Sequence, residues 1–489
     1  MTASAGDWIK RWSWFNLRIA SGVRERLRRR MTPAGQALLA ATLTAGLFGI
    51  DTRQTAASQL FALGAALLAA GLVATWRRPS GLVGERRLPR HASVGEPCSY
   101  RVRLTNTGRR PLRGLAIGER LPDPRPDLAT YLRRRAPMEV GLNPFERLFG
   151  YPRWEWLVRE GRRGEPPPLV PLPDLSPGAS LELNLTLTPT RRGALRLTAL
   201  IAARTGPLGL IRRETVIADA GRLLVLPRRW PVRPQPPSGR RRLQPGGISL
   251  ASSVGESPEF IGVRDYLPGD SPRHIHWAAW ARCGEPVVKE YQDEWFSRQA
   301  LVLDTALPGN ETSASPPARR RRRAGETPAD PYAAFECAVS VAASLVAPLS
   351  TGPGHQDSLL DLVFVAERAH AVTAGRGLLA SDALLEILAT LEPRPADGFP
   401  ALADAVITGA PRFSACLLIL LAWDEPRREL VTRLRALGTP VRALVIDGTG
   451  TAGSRQDLDQ GRTTASMPDE RRDLVHIDPA DPRPGLAGL

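Results

Sequence analysis

The sequence predicts a multidomain chain tethered to a membrane: an N-terminal transmembrane helical hairpin, an antiparallel β-sandwich, then a doubly wound α/β domain. Three observations predict it. Two long apolar runs lie within the first eighty residues, the apolar period is two from Gly81 onward, and beyond Arg298 continuous apolar strands alternate with helical patterns. At 489 residues the chain has room for about two to four domains of ~100–200 residues each.

The hairpin occupies 34–78, behind a basic N-terminal segment at 1–33. Its apolar runs, 34–50 and 56–76, carry no charge, and the DTRQT between them can only turn. At ~1.5 Å per residue the second run spans ~30 Å, enough for a bilayer core, and the first only ~25 Å. Arginines stand at both flanks, in RERLRRR (24–30) and at Arg77, Arg78, Arg86 and Arg87. The positive-inside rule then places both termini in the cytoplasm. Some thirty residues precede the first run and no small-residue cleavage site follows it, which argues against a signal peptide. The stretch WIKRWSWFNLRIASGVRERLRRR mixes Trp, Phe and Arg as a helix lying on an anionic leaflet would. A plain basic flank that only sets orientation is the alternative.

The sandwich is expected over 79–230. In SYRVRLTN (99–106) and LELNLTLT (181–188) apolar and polar residues alternate, with Pro/Gly turns such as NTGRRPLRG and LSPGAS between the strands. Between about 124 and 175 the alternation fails, and Phe145, Phe149, Trp154, Trp156 and many prolines appear instead. That stretch reads as a long irregular insertion.

The α/β domain is expected over 299–447. ALVLD (300–304), LLDLVFVAE (359–367), ACLLILLAWD (415–424) and PVRALVID (440–447) are strands, with helices at 331–349, ASDALLEILATLEP and EPRRELVTRLRALG. Strands apolar throughout predict a parallel sheet covered on both faces, with ligands approaching the strands' carboxyl ends. Asp304, Asp424 and Asp447 stand at such ends, where they can meet a ligand or simply start turns and cap helices. The polar, proline-bearing 309–330 reads as a mobile loop, and 448–489 as a mostly disordered tail with a short strand at LVHID.

Composition excludes more than it assigns. The net charge of +17 suggests nucleic acid or anionic lipid, but all cations except Lys10 and Lys289 are arginines, which reads as a general arginine bias. There is no recognisable nucleic-acid domain and no basic strip interleaved with aromatics, so no specific nucleic acid is expected as partner. Cys98, Cys283, Cys337 and Cys416 are scattered without a CxxC, offering neither a zinc site nor a disulfide framework. No phosphate-binding Gly-Lys loop and no HExxH is present.

The most unusual stretch is EFIGVRDYLPGDSPRHIHWAAWAR (259–282), inside the segment 231–298 that joins the two domains. YLPGD contains a turn, and Arg264 and Arg273 stand close enough to pair with Asp265, Asp270 or Glu259. HIHWAAWAR suits a short helix with Trp277, Trp280 and Ala281 packing inward. On a strand, His274 and His276 would instead share a face, and with Asp270 could bind zinc or act as acid and base. The alternative is a set of satisfied polar residues in a structural network.

GESPEFIGVRDYLPGDSPRHIHWAAWAR (255–282), followed by PVVKEYQDE, resembles the signature of the bacterial domain-of-unknown-function 58 family. The resemblance is carried by Gly255, Glu259, Phe260, Arg264, Tyr266, Pro268, Gly269, Asp270, Arg273, Ile275, Trp277, Ala281, Arg282 and Lys289. RRG at 191–193, GPLGL at 206–210 and LLVLP at 223–227 follow the family's order. The resemblance implies a non-enzymatic adaptor or scaffold on the cytoplasmic face of the bacterial cell membrane. It also implies a MoxR-type AAA+ ATPase and related von Willebrand-type proteins as partners, in protein assembly or envelope-related processes. The network over 259–289, His276 included, would organise the joint between domains and a partner surface. The C-terminal domain is expected to be similar to von Willebrand factor A domains, which hold a divalent cation through an Asp-x-Ser-x-Ser loop. Here Thr305, Ala306, Leu307 and Pro308 follow Asp304, so both serine positions are lost. Asp304 and Asp424 remain as weak metal candidates with too few oxygens for Mg²⁺, and no cofactor is expected. A metal-dependent binding protein or hydrolase using His274, His276 and Asp270 is the competing reading.

Overall fold

The computed structural model describes residues 5–48, 55–76, 81–134, 143–232, 242–244, 260–268, 272, 275–291, 294–307, 331–351, 358–375, 381–446 and 473–487. The chain divides into two compact units, Met1–Leu226 and Pro227–Leu489. The expected loop at 309–330, the tail up to 472 and Asp447 lie outside the described residues.

The first unit begins with three helices, α1 (Ala5–Arg30), α2 (Pro33–Phe48) and α3 (Thr55–Ala74). Small residues let α2 and α3 approach closely. A Cβ on Gly64 would lie 2.1 Å from Thr42 Oγ1, and one on Gly46 2.9 Å from the Phe61 ring. Leu43, Leu47, Leu60, Leu63 and Leu72 are exposed on the outside of the pair. Among the described residues, one helix is long and apolar enough to cross a membrane, over Ala56–Ala74; Pro33–Phe48 is apolar but shorter.

After the hairpin come β1 (Leu82–Arg87), β2 (His91–Ser93), β3 (Cys98–Asn106) and β4 (Leu115–Arg120). After the insertion come β7 (Ser180–Pro189), β8 (Gly193–Leu197), β9 (Ala199–Thr205), β10 (Arg212–Ala218) and β11 (Gly221–Leu226). The insertion itself supplies two short strands, β5 (Gly164–Glu165) and β6 (Val170–Leu172). Two four-stranded antiparallel sheets, β1-β3-β7-β5 and β10-β9-β4-β6, are joined by a third, β2-β11-β8. All three feed one core, which includes Val102, Leu104, Ile117, Leu185, Leu197, Leu200 and Val225. A polar triad is sealed within this unit. Glu119 accepts from Arg86 Nε at 2.9 Å, Arg86 Nη2 at 2.8 Å and the Tyr100 hydroxyl at 3.0 Å. Burial, reinforced by the adjacent carboxylate, pushes the Tyr100 phenol far above its usual range, so it stays a donor.

Both hairpin helices grip one turn of this β-rich body, at GPLGL (206–210). Thr32 N–H donates to Leu210 O at 3.0 Å, and Met31 bridges Ile211. On the other helix, Arg213 Nη1 donates to Thr75 O at 3.2 Å. A Cβ on Gly35 would stand 2.1 Å from Leu210 O, and one on Gly206 2.6 Å from Thr75 Cγ2, so only glycine allows these approaches.

The insertion is not irregular. It forms α4 (Leu128–Arg133), α5 (Pro144–Phe149) and α6 (Tyr151–Gly161). The prolines that broke the strand pattern start helices here: Pro144 follows the N-cap Asn143, whose side chain forms a capping box with Glu146, and Pro152 opens α6. Tyr131, Trp154, Trp156 and Leu157 make a separate small core against Trp14 and Leu17 of α1.

In the second unit one sheet dominates. Its strands are β15 (Glu294–Leu303), β16 (Ser358–Val365), β17 (Ala369–Ala374), β18 (Ala415–Leu420), β19 (Val441–Ile446) and β20 (Leu474–Ile477), in the order β17-β16-β15-β18-β19-β20. Numbered from β15 as the first strand, that order is 3-2-1-4-5-6, one of the doubly wound arrangements. All neighbours are parallel except β17, which runs antiparallel to β16. A short strand, β12 (Arg242–Gln244), pairs antiparallel with the start of β15. The helices are α8 (Pro331–Thr351), α9 (Ser381–Thr390), α10 (Phe399–Gly409) and α11 (Glu425–Ala436), with a last turn α12 (Arg483–Leu486). Ala300, Val302, Cys416 and Leu418 face α10 and α11 in one core cluster. Their neighbours Leu301, Leu303, Leu417 and Ile419 alternate to the other face, and all four are buried.

Candidate functional site

Two places in the second unit concentrate the residues singled out in the sequence. The first is the signature segment. Phe260–Asp265 forms β13 and Val287–Tyr291 forms β14, an antiparallel pair enclosing α7 (Trp277–Cys283). Val263 stands opposite Lys289 and Arg264 opposite Val288. The enclosed chain is pinned by backbone bonds: Tyr266 N–H to Pro286 O and His276 N–H to Val287 O, both at 2.9 Å. The helix is short but capped at both ends. His276 Nδ1 accepts from Ala279 N–H at 3.0 Å, and Gly284, at φ 76°, closes the C-terminus by donating to Trp280 O at 2.9 Å.

The expected inward packing of this helix is corrected. Trp277 is 64% exposed, Ala281 and Arg282 are exposed, and no residue of α7 is buried. With seven residues, α7 presents only two turns, and the buried apolar residues of this excursion are Val287 and Val288 of β14. Trp277 and Trp280 stack on one another instead, with ring centroids 5.3 Å apart and planes 19° apart. Leu267 and Val263 are exposed as well. Arg264 Nη1 donates to the Asp265 carbonyl at 3.1 Å. His276 lies at a helix N-terminus and not on a strand. Gly255, Glu259, Gly269, Asp270, Arg273 and His274 lie outside the described residues, as does the Phe260 side chain.

The second place is the carboxyl end of the parallel sheet, where Asp304 follows β15. Its side chain is fully buried. One oxygen accepts from Ala306 N–H at 2.9 Å; the other accepts from Leu421 N–H at 3.1 Å and from Arg427 Nε at 2.7 Å. Arg427 also reaches Ala306 O at 3.0 Å and the Asp424 carboxylate, and its guanidinium lies 4.6 Å from the Phe399 ring centroid. Asp424 is the N-cap of α11, accepting from Arg427 N–H at 3.3 Å. The two aspartates weighed as weak metal ligands therefore converge on one guanidinium. Burial pushes the Asp304 carboxyl up while Arg427 and the two backbone donors pull against it. Among the described residues no group of three or more His, Cys, Asp or Glu side chains could hold a metal ion.

Arg427 was missed in the sequence, although a signal was there. EPRRE puts two arginines into the first turn of a helix, where the dipole disfavours cations. A cation in that position implies a carboxylate facing it.

No family model and no curated protein matches this chain. Among solved structures, the CARDB domain of a Pyrococcus furiosus protein, in complex with di-metal ions, is similar at 13% identity and a TM-score of 0.17, over 30% of this chain and 87% of that one. Red sea bream transglutaminase is similar at 14% identity and a TM-score of 0.15, over 30% of this chain and 15% of its own. A Salmonella alpha-2-macroglobulin mutant is similar at 14% identity and a TM-score of 0.16, over 37% of this chain and 9% of its own. Likenesses at these scores carry no argument about what the chain does.

Proposed function

We propose that this chain is a non-enzymatic, membrane-anchored adaptor of the domain-of-unknown-function 58 type, with its β-rich body and its von Willebrand factor A-like domain on the cytoplasmic side of a bacterial cell membrane. Its partner is a MoxR-type AAA+ ATPase, and the signature segment is the surface that meets it. The observation that carries this reading is the stacked Trp277–Trp280 pair, in which Trp277 faces outward and Trp280 is half-buried, in a segment that also exposes Leu267 and Arg282. An exposed tryptophan beside arginine has the composition of a binding hot spot. The 3-2-1-4-5-6 strand order with an antiparallel edge supports the von Willebrand reading. The shared core of the antiparallel sheets supports the sandwich, and the outward leucines of α2 and α3 support a two-span hairpin.

The test is capture of the candidate ATPase by the detergent-solubilised full chain. Trp277→Ala and Arg264→Ala should each weaken capture at least tenfold while leaving membrane insertion intact, in line with the ~2 kcal/mol of a hot-spot residue. Equal recovery of the same ATPase by parent and both variants would remove the assignment.

A further inference from the structure

The burial pattern of α1 is inverted. A surface helix ordinarily hides its apolar stripe against the body it packs on. Here Trp8, Trp12, Phe15, Ile19 and Val23, spaced by three or four residues along one face, are all exposed, with Trp8 at 66% and Phe15 at 57%. The opposite face, bearing Ser13, Trp14, Leu17 and Arg18, is the one that packs on the helical insertion: Trp14 Nε1 and Arg18 Nη1 both donate to Pro126 O at 3.2 Å, and the Ser13 hydroxyl donates to Phe149 O. The insertion continues the exposed surface. Phe149 meets Trp12 edge-on with ring centroids 6.5 Å apart, and Phe145, 69% exposed, sits 4.4 Å from Phe149.

We infer that α1 and the helical insertion form a membrane-contacting platform, with Trp8, Trp12, Phe15, Ile19, Phe145 and Phe149 lying in the headgroup layer of an anionic leaflet. Three features commit the surface to lipid. Tryptophan and phenylalanine backed by arginine are the residue types of an interfacial helix. Arg26 and Arg30 are exposed on the aromatic side of the C-terminal half of α1, complementing acidic headgroups and repelling a second copy of the same face, and Arg24 and Arg28 are exposed on its other side. Only Met31 and Thr32 separate α1 from α2, and both are buried and bonded to the 210–211 turn. The aromatic face is therefore fixed beside the exposed leucines of the hairpin. On this account the insertion is the cradle that turns the apolar side of α1 outward.

The inference rests on the hairpin entering the bilayer, and the test separates the two. Full-length protein carrying Cys98→Ser and Cys283→Ser receives one new cysteine at a time, Phe15→Cys, Phe145→Cys, Leu63→Cys or Asn184→Cys, labelled with an environment-sensitive fluorophore. Each is reconstituted in vesicles of phosphatidylcholine and phosphatidylglycerol and quenched with shallow nitroxide lipids, deep nitroxide lipids or aqueous iodide. The expected result is shallow quenching at 15 and 145, deep quenching at 63 and iodide quenching at 184. Iodide quenching at 15 and 145 with deep quenching at 63 would overturn the platform and leave the hairpin standing. Iodide quenching at 63 would overturn both. Shielding of 15 and 145 from all three quenchers, with crosslinking between copies, would make the face a self-association surface and overturn the inference.

Discussion

Arg427 donates from Nε to the buried Asp304 carboxylate at 2.7 Å, although it stands in the first turn of α11. Against the helix dipole, that position is held by Asp304, Asp424, a backbone carbonyl and the Phe399 ring together. A guanidinium thus links the end of β15 to the helix that follows β18, at the edge where a doubly wound domain usually takes its ligand.

Removing one partner should be far worse than removing both. Arg427→Met strands a buried carboxylate and should destabilise the second unit by ~3–5 kcal/mol, whereas Arg427→Met with Asp304→Leu should recover much of that. Hydrogen exchange at the Ala306 and Leu421 amides, which point at Asp304, reads the effect locally. Because both carboxylates are already engaged, Mg²⁺ or a chelator should leave the parent's unfolding temperature unchanged; a shift with saturating Mg²⁺ would contradict that assignment.

The triad in the first unit gives a graded series. Tyr100→Phe removes one donor to Glu119 and should destabilise by ~1.5–3 kcal/mol, the range for a hydrogen bond to a charged group. Arg86→Met removes two hydrogen bonds and the countercharge of a fully buried carboxylate and should lose ~3–5 kcal/mol. Equal losses for the two variants, measured by exchange protection along β3 and β4, would mean that Glu119 does not depend on Arg86.

At the foot of the hairpin the constraint is steric. Gly35→Ala would place a methyl 2.1 Å from the Leu210 carbonyl oxygen, backbone that cannot rotate away. The expected outcome is a loss of ~1–3 kcal/mol, typical of overpacking, together with loss of exchange protection at the Thr32 amide. Retained protection there would show that the contact yields.

The parts legible in the sequence were those set by period alone. Strands at 300–303, 359–365, 415–420 and 441–446 and the helices at α8, α9 and α11 follow from continuous apolar runs and capped 3.6-residue patterns. The antiparallel β17 and the helix α10 were not read, since AHAVTA is too short and FPALADAVITG too uniformly apolar to declare a face. The insertion reads as irregular because its helices are short and its period-2 alternation is absent, whereas its prolines stand in first turns of helices. At the candidate sites the limit is different. Sequence named Asp304 and Asp424, but the group between them comes from 123 residues downstream of Asp304 and only folding brings it there. For α7 the helix was legible and its outward face was not, because burial depends on what is layered over it.

The four cysteines offer a probe of the proposed docking surface. Cys283 ends α7 and is exposed; Cys337 and Cys416 are buried, and burial pushes the Cys337 thiol up to about 12. Thiolate is the reacting species, so near pH 8 Cys337 is both shielded and protonated. Burial also pushes Cys98 upward, where it is half-buried. A maleimide reagent should therefore modify Cys283 first in the native protein, with Cys337 and Cys416 reacting only after unfolding. Cys283 lies in the same helix as the stacked tryptophans, so saturating ATPase should slow its modification at least tenfold. Mass spectrometry of peptides containing each cysteine follows both effects in one experiment. Undiminished labelling of Cys283 in a complex that demonstrably forms would move the docking surface away from α7.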